Sequence, residues 1–246
     1  PMLNNQVVLV TGGSNGIGAD CVKQFSQQGA RVVIGYHRGR DRAEALLAEL
    51  PGTGHAVMHV PLEDSVAHAA IAKSVEQSYG RLDILVNSAG YTKRIAHNDL
   101  DTLTPELFNQ LLTANAGGTF SLTRALMPLL KQSGSGLVVN VSSVSAFTGS
   151  GSNIAYCAAK AAMDTMTMAL ARAFGPAVRF VCVSPASVDT GFVEGRSREE
   201  IEKKAAKSPL GRLVLPHDVA LAVLACATHL KTATGTRIVI DGGASL

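Results

Sequence analysis

Short apolar runs alternate along this chain with longer stretches of helical spacing, and that rhythm leaves few architectures open. The runs are QVVLVT (6–11), RVVIG (31–35), HAVMHV (55–60), LDILVN (82–87), GLVVNVS (136–142), VRFVCVS (178–184) and TRIVID (236–241). They are apolar nearly throughout instead of at every second residue, as strands covered on both faces are. Helical patterns lie between them near 17–28, 41–49, 64–78, 105–131, 155–174 and 217–229. Thr104 and Pro105 mark one helix start, the threonine suited to the cap and the proline to the first turn. Strand and helix in alternation predict an α/β fold, a doubly wound parallel sheet of about seven strands flanked by helices. The 246 residues suffice for a sizeable core, and no linker, repeat or low-complexity tract divides them, so a single domain over 1–246 is expected.

Composition narrows the partners. A net charge of +3 with no block of consecutive Lys or Arg gives no footprint for nucleic acid or a membrane surface, which leaves a small molecule. Cys21, Cys157, Cys182 and Cys226 are far apart and share no ligand spacing with histidines, so neither a metal site nor a disulfide framework is expected. A reduced, cytoplasmic chain follows. No apolar run reaches the roughly 18–20 residues of a membrane span, and PMLNNQ lacks the charged and apolar regions of a signal peptide.

In sheets of this kind ligands bind beyond the carboxyl ends of the strands, so the residues after each strand carry the most information. TGGSNGIG follows the first. Gly12, Gly16 and Gly18 permit a tight turn and close backbone approach to a pyrophosphate, with a helix N-terminus behind them. After the fourth strand comes NSAG, where Asn87 is suited to bonding the loop backbone while Ala89 and Gly90 leave room for a flat ligand. Later, YCAAK places Tyr156 and Lys160 four residues apart in an alanine-rich helical pattern. Such residues share one helix face, with Cβ atoms roughly 5–6 Å apart, so a phenol and an ammonium look into the same space. For an isolated YxxxK a packed ring and a snorkelling lysine would suffice as explanation.

Taken in order, TGGSNGIG, NSAG, NVSS at the end of the fifth strand, YCAAK and a closing DGG at 241–243 resemble the short-chain dehydrogenase/reductase family over nearly the whole chain. The resemblance implies a Rossmann fold and hydride transfer between a nicotinamide cofactor and a carbonyl or secondary alcohol. It implies Tyr156 as general acid and base, Lys160 assisting it, and Ser143, thirteen residues before the tyrosine, at the substrate oxygen. Asn115, in ANAGGTF, takes the place of the family's helix asparagine and would hold a water feeding protons to Lys160. A side chain repairing helix backbone bonds is the other role open to it. The cofactor would meet Gly12, Ser14, Asn15, Gly16, Ile17 and Gly18, then Leu62, Asn87, Ala89 and Gly90, then Tyr156, Lys160, Pro185, Val188 and Thr190. A free phenol has a pKa of about 10, so a tyrosinate near neutral pH needs roughly 4 kcal/mol of differential stabilisation. One ammonium at about 5 Å supplies on the order of 3 kcal/mol at an effective dielectric of about 20, so Lys160 is expected to provide most of it.

The chain departs from the family in two places. Pro61 stands where an Asp often meets adenine, and Pro185-Ala186 replaces the usual Pro-Gly. Cofactor choice turns on the end of the second strand, where an acidic residue usually binds the ribose and repels a 2′-phosphate. Here Tyr36, His37 and Arg38 occupy that place and no carboxylate occurs before Asp41, which favours NADP. Asn15, where many NADP-using relatives carry a basic residue, keeps NAD open. Residues 191–212 match the family's variable substrate lid, with Phe192 and Val193 as pocket residues and 91–100 as another wall. Helices 105–131 and 155–174 carry more apolar and small residues than one buried face needs, and the family uses them to form a homotetramer or homodimer. The competing readings are a non-catalytic dinucleotide-binding regulator, an NAD-dependent alcohol or sugar dehydrogenase, and the epimerases, dehydratases and lyases of the wider family, which are generally longer than this chain.

Overall fold

Successive residues of a buried strand point to opposite sides of its sheet, and in this protein each side has its own core. The computed structural model describes residues 1–246. Its strands are β1 (Val7–Val10), β2 (Arg31–Tyr36), β3 (Ala56–His59), β4 (Ile84–Asn87), β5 (Gly136–Val141), β6 (Val178–Pro185) and β7 (Thr236–Ile240). All pair in parallel, in the order β3-β2-β1-β4-β5-β6-β7. The helices are α1 (Gly16–Gln27), α2 (Arg40–Glu49), α3 (Ser65–Tyr79), α4 (Pro105–Leu112), α5 (Gly118–Gln132), α6 (Ser145–Thr148), α7 (Ile154–Phe174), α8 (Arg198–Ala206) and α9 (Pro216–Thr228). Val8 and Val10 pack with Phe25 of α1, Leu46 of α2 and Val223 of α9. Val7 and Leu9, pointing the other way, pack with Ile71 of α3 and with Leu126 and Leu130 of α5. Two covered faces explain why the central strands are apolar at nearly every position.

Chain direction across the sheet reverses at β1, which has β2 on one side and β4 on the other. A crevice therefore opens where the carboxyl ends of β1 and β4 diverge, the usual ligand position in open α/β sheets.

The helical pattern over 105–131 is not one helix. Thr104 caps α4, its Oγ1 accepting from the Leu107 N–H at 3.2 Å, with Pro105 in the first turn as expected. Between α4 and α5 the backbone widens into a π-helical turn, Thr113–Gly117, with Asn115 at its centre. Such turns free backbone groups that side chains must satisfy, and they recur at functional sites. Two further helices, α6 and α8, lie at the same end of the sheet.

Candidate active site

The glycine-rich loop joins β1 to α1 at the crevice. Gly12 and Gly16 take φ values of 58° and 55°, the left-handed region that favours glycine. A Cβ on Gly12 would sit 3.0 Å from the Ala89 Cα, and one on Gly16 would sit 3.1 Å from the Thr190 Cβ. On Gly18 it would strike the Gly12 carbonyl oxygen. Three backbone segments thus converge only because side chains are missing there. Thr11, buried at the end of β1, completes the junction: its Oγ1 accepts from the Ser88 N–H at 3.1 Å and the Ala89 N–H at 3.0 Å.

A cavity of about 1020 Å³ runs from this loop toward α7 and α8. Its wall includes Gly12, Ser14, Asn15, Gly16, Ile17, His37, Leu62, Ala89, Gly90, Pro185, Val188 and Thr190, together with Ser143, Tyr156 and Lys160. Tyr91, Arg94, Ile95, Ala96 and His97 form one side of its far end, and Phe192, Val193, Arg196, Glu200, Ile201 and Lys204 another. The expected walls at 91–100 and 191–212 are both present.

Helix α7 delivers the phenol and the ammonium. Asn153, fully buried, caps it with Oδ1 accepting from the Tyr156 N–H at 2.7 Å. The same amide donates to the Lys93 carbonyl at 2.7 Å and to Thr92 Oγ1 at 3.1 Å, tying the helix start to the 91–97 wall. Lys160, 5% exposed, follows one turn later, with Nζ 5.6 Å from the Tyr156 ring centroid and 2.9 Å from the Val141 carbonyl, to which it donates. Ser143 Oγ accepts from the Ser145 N–H at 3.0 Å, which leaves its own proton free for another oxygen. Ser142, by contrast, is spent on Asp164 at 2.6 Å, and Asp164 in turn accepts from Arg237 at 3.0 Å.

The protonation states differ from expectation. Burial pushes the Tyr156 phenol up to about 12, and the opposing pulls come from the Ser143 hydroxyl and the Arg196 charge. Burial also lowers the Lys160 ammonium to about 8. The expectation that Lys160 brings the phenol toward neutrality is therefore not met in the free protein. Its ammonium lies over the ring and donates to Val141, while a cation from the 191–212 segment acts on the phenol.

Several expected site residues lie off the cavity wall. Asn87 does not bond the loop backbone; its amide donates to Asn140 Oδ1 at 2.8 Å and Thr123 Oγ1 at 3.3 Å beneath the site, and Thr11 takes the role assigned to it. Gly18 contacts the loop from behind. Tyr36 packs on the core and against His59, ring centroids 5.6 Å apart, and of Tyr36, His37 and Arg38 only His37 lines the cavity. Asn115 is buried with both amide protons committed, to the Leu111 carbonyl at 2.9 Å and the Tyr91 carbonyl at 2.8 Å. Its Oδ1 accepts from the Tyr91 N–H at 3.1 Å. The side chain repairs the π turn and pins the Gly90–Tyr91 backbone, and has no donor left for a water relay.

The sequence reading also passed over Arg42. A Cβ on Gly39 would meet both Ser14 Oγ and Arg42 Nη2, so this guanidinium of α2 lies beside the glycine-rich loop. The available signal was a further arginine four positions beyond Arg38, in the first turn of α2.

Comparison with known proteins agrees with this geometry. The family described as Enoyl-(Acyl carrier protein) reductase matches residues 12–245. The "Granaticin polyketide synthase putative ketoacyl reductase 2" of Streptomyces violaceoruber is 38% identical over 98% of this chain and 96% of its own length. The 3alpha-hydroxysteroid dehydrogenase of Mediterraneibacter gnavus is 33% identical over 99% of this chain and 98% of its own. Among solved structures, a short chain dehydrogenase from Burkholderia cenocepacia in complex with NADP superposes with a TM-score of 0.89, at 30% identity over 100% of both chains.

Proposed function

This chain belongs to the short-chain dehydrogenase/reductase family, and from that membership and its site we propose that it is an NADP(H)-dependent oxidoreductase acting on a carbonyl or secondary alcohol. One arrangement carries the reading: Ser143, Tyr156 and Lys160 border the same cavity as a glycine cradle that any Cβ would fill. Gly12, Gly16 and Gly18 fit a dinucleotide pyrophosphate, and Ala89, Gly90, Pro185, Val188 and Thr190 fit the groups beyond it. His37 and Arg42 near Ser14 suit a 2′-phosphate, with no carboxylate there to repel it. The bound complex of the Burkholderia relative and the ketoacyl reductase relative favour the same cofactor and reaction.

A bound nicotinamide dinucleotide would supply the hydride in reduction and take it up in oxidation. The chain's own residues manage the proton and the charge. A phenol held near 12 is fully protonated at neutral pH, the state reduction requires. Tyr156 gives that proton to the substrate oxygen as negative charge develops there, and Ser143 donates a hydrogen bond to the same oxygen. The resulting tyrosinate is met by the Lys160 and Arg196 charges. Lys160 spends one of its three donors on Val141, leaving two for a ligand. Residues 191–212 act as the substrate lid of this single domain, and Asn115 serves the site by holding the Gly90–Tyr91 backbone.

We also place the protein in the cytoplasm as a dimer or tetramer. All four cysteines are free and buried, and no helix is long and apolar enough to cross a membrane. Phe120 of α5 and Met168 of α7 are 47% and 48% exposed, an apolar cost that a partner copy would remove. Purified protein should oxidise NADPH with a panel of ketones and 3-oxoacyl thioesters. Tyr156→Phe should lower turnover at least ~10²-fold while NADPH fluorescence titration still reports binding. Binding without turnover across the panel would favour a regulator instead.

A further inference from the structure

The substrate end of the cavity carries a charge imbalance that the reaction itself does not use. Among the lining side chains, Arg94, Lys160, Arg196 and Lys204 are full cations, and Glu200 is the only carboxylate. Glu200 is taken by Arg94 at 3.2 Å, and Asp189, the next nearby acid, by Arg198 at 3.2 Å. Arg196 is left without a bonded carboxylate, although both acids act on its charge from farther off. It is half-buried, and its one hydrogen bond runs from Nη2 to the Val188 carbonyl at 3.0 Å, which anchors the guanidinium without neutralising it. The backbone helps to hold it in place, since the Arg196 N–H donates to the Val193 carbonyl at 3.3 Å in a turn just before α8.

An anchored, half-buried, unpaired guanidinium on a cavity wall is costly unless a ligand completes it. The neighbours set where that ligand lies. Phe192, four residues earlier on the same segment, has its ring 6.0 Å from the Tyr156 ring, so this stretch covers the phenol. The Arg196 charge is also felt at the Tyr156 hydroxyl. A bound dinucleotide's phosphates would be held at the glycine-rich loop, where Ser14, His37 and Arg42 are the available partners. Arg196 is on the lid, beside the group that hands a proton to the substrate.

Resting on the oxidoreductase reading above, we propose that Arg196 selects substrates bearing a carboxylate a few bonds from the reacting carbonyl, an oxo acid and its hydroxy acid, by forked hydrogen bonds to that carboxylate. Lys204, the lining cation that remains without a carboxylate partner beyond the catalytic pair, adds a positive field on that side of the cavity, which raises the local concentration of such anions. A neutral ketone of the same size would leave the guanidinium uncompensated.

The test uses matched pairs, acetoacetate against ethyl acetoacetate and pyruvate against ethyl pyruvate, with NADPH and the full-length wild-type and variant proteins. In the wild type, kcat/KM should favour at least one acid over its ester by at least about tenfold, the usual range for one charge-assisted contact. Arg196→Gln should collapse that ratio by about tenfold or more, chiefly through the KM of the acid, and Arg196→Lys should keep part of it. Whatever Arg196 contributes to Tyr156 acts on acid and ester alike and cancels in the ratio. An ester preferred by the wild type, an acid-to-ester ratio that Arg196→Gln leaves unchanged, or a variant whose only defect is a higher NADPH KM would overturn the proposal while the oxidoreductase reading stands. No turnover of any carbonyl compound would overturn both.

Discussion

Replacing Lys160 by methionine should stabilise the protein at neutral pH relative to its effect at high pH, and the amount follows from the burial of one ammonium. In the fold the Lys160 pKa falls from its ordinary 10.5 to about 8, with desolvation the dominant cause. At 1.36 kcal/mol per pKa unit, holding the charged lysine in place costs on the order of 3 kcal/mol. The sign of the pH dependence follows from which state releases its proton first. Below about pH 8 the folded and unfolded chains both bind the proton and the full cost is present. Between about 8 and 10.5 the folded state has released it while the unfolded chain still binds it, so stability rises with pH across that window. Methionine fills similar space without a charge, and the part of the bond to the Val141 carbonyl that depends on the charge is already contained in the folded-state pKa, so only a pH-independent remainder is left over. Urea unfolding of both proteins near pH 7 and near pH 10, without cofactor, isolates the lysine because all other titrations cancel in the difference. The advantage of Lys160→Met over wild type should shrink by roughly 2 to 3 kcal/mol between the two pH values. A difference constant to within about 0.5 kcal/mol would mean that the lysine is not desolvated in the folded state.

The same depressed pKa predicts that kcat/KM for NADPH, which reports the free protein, falls about tenfold per pH unit above about pH 8 as Lys160 loses its charge; a profile flat through about pH 9 would contradict this. Gly18→Ala gains about 1 kcal/mol of intrinsic helix propensity, yet its Cβ would strike the Gly12 carbonyl, so NADPH affinity by fluorescence titration should fall at least ~10-fold. Affinity equal to wild type would mean the loop does not need its observed shape. NADPH should be preferred over NADH by at least ~10-fold in kcat/KM, and Arg42→Ala should narrow that gap more than Arg38→Ala does, because the Arg42 guanidinium lies beside Ser14 of the glycine-rich loop. A larger effect at Arg38, or equal use of both cofactors, would reverse the assignment.

How much of this was legible depends on the distance over which each feature is written. The central strands could be read because burial on both faces leaves an apolar mark at nearly every position, and the structure shows that mark divided residue by residue between two cores, while the edge strands β3 and β7 are only partly covered. The Tyr156 and Lys160 pair was legible because helical spacing alone puts them on one face. The π turn at 113–117 was not, since apolar helical spacing runs on through 105–131 past Gly117 and Gly118, and the bulge depends on Asn115 bonding to Tyr91, a residue 24 positions away. Thr11 and Asn153 were missed for the same reason: their side chains bridge segments 77 and 60 residues apart, at Ser88 and Lys93. Charge was hardest to read. From spacing alone Lys160 looked like the group that sets the acidity of Tyr156, because the arithmetic used one pair in a uniform medium. In the fold, burial dominates both groups, a carbonyl of β5 takes the ammonium, and the cation acting on the phenol arrives from the lid at Arg196. A YxxxK motif therefore names the proton donor, while its working pKa belongs to three separate segments, and variants at Arg196 are expected to reach the chemistry through that field.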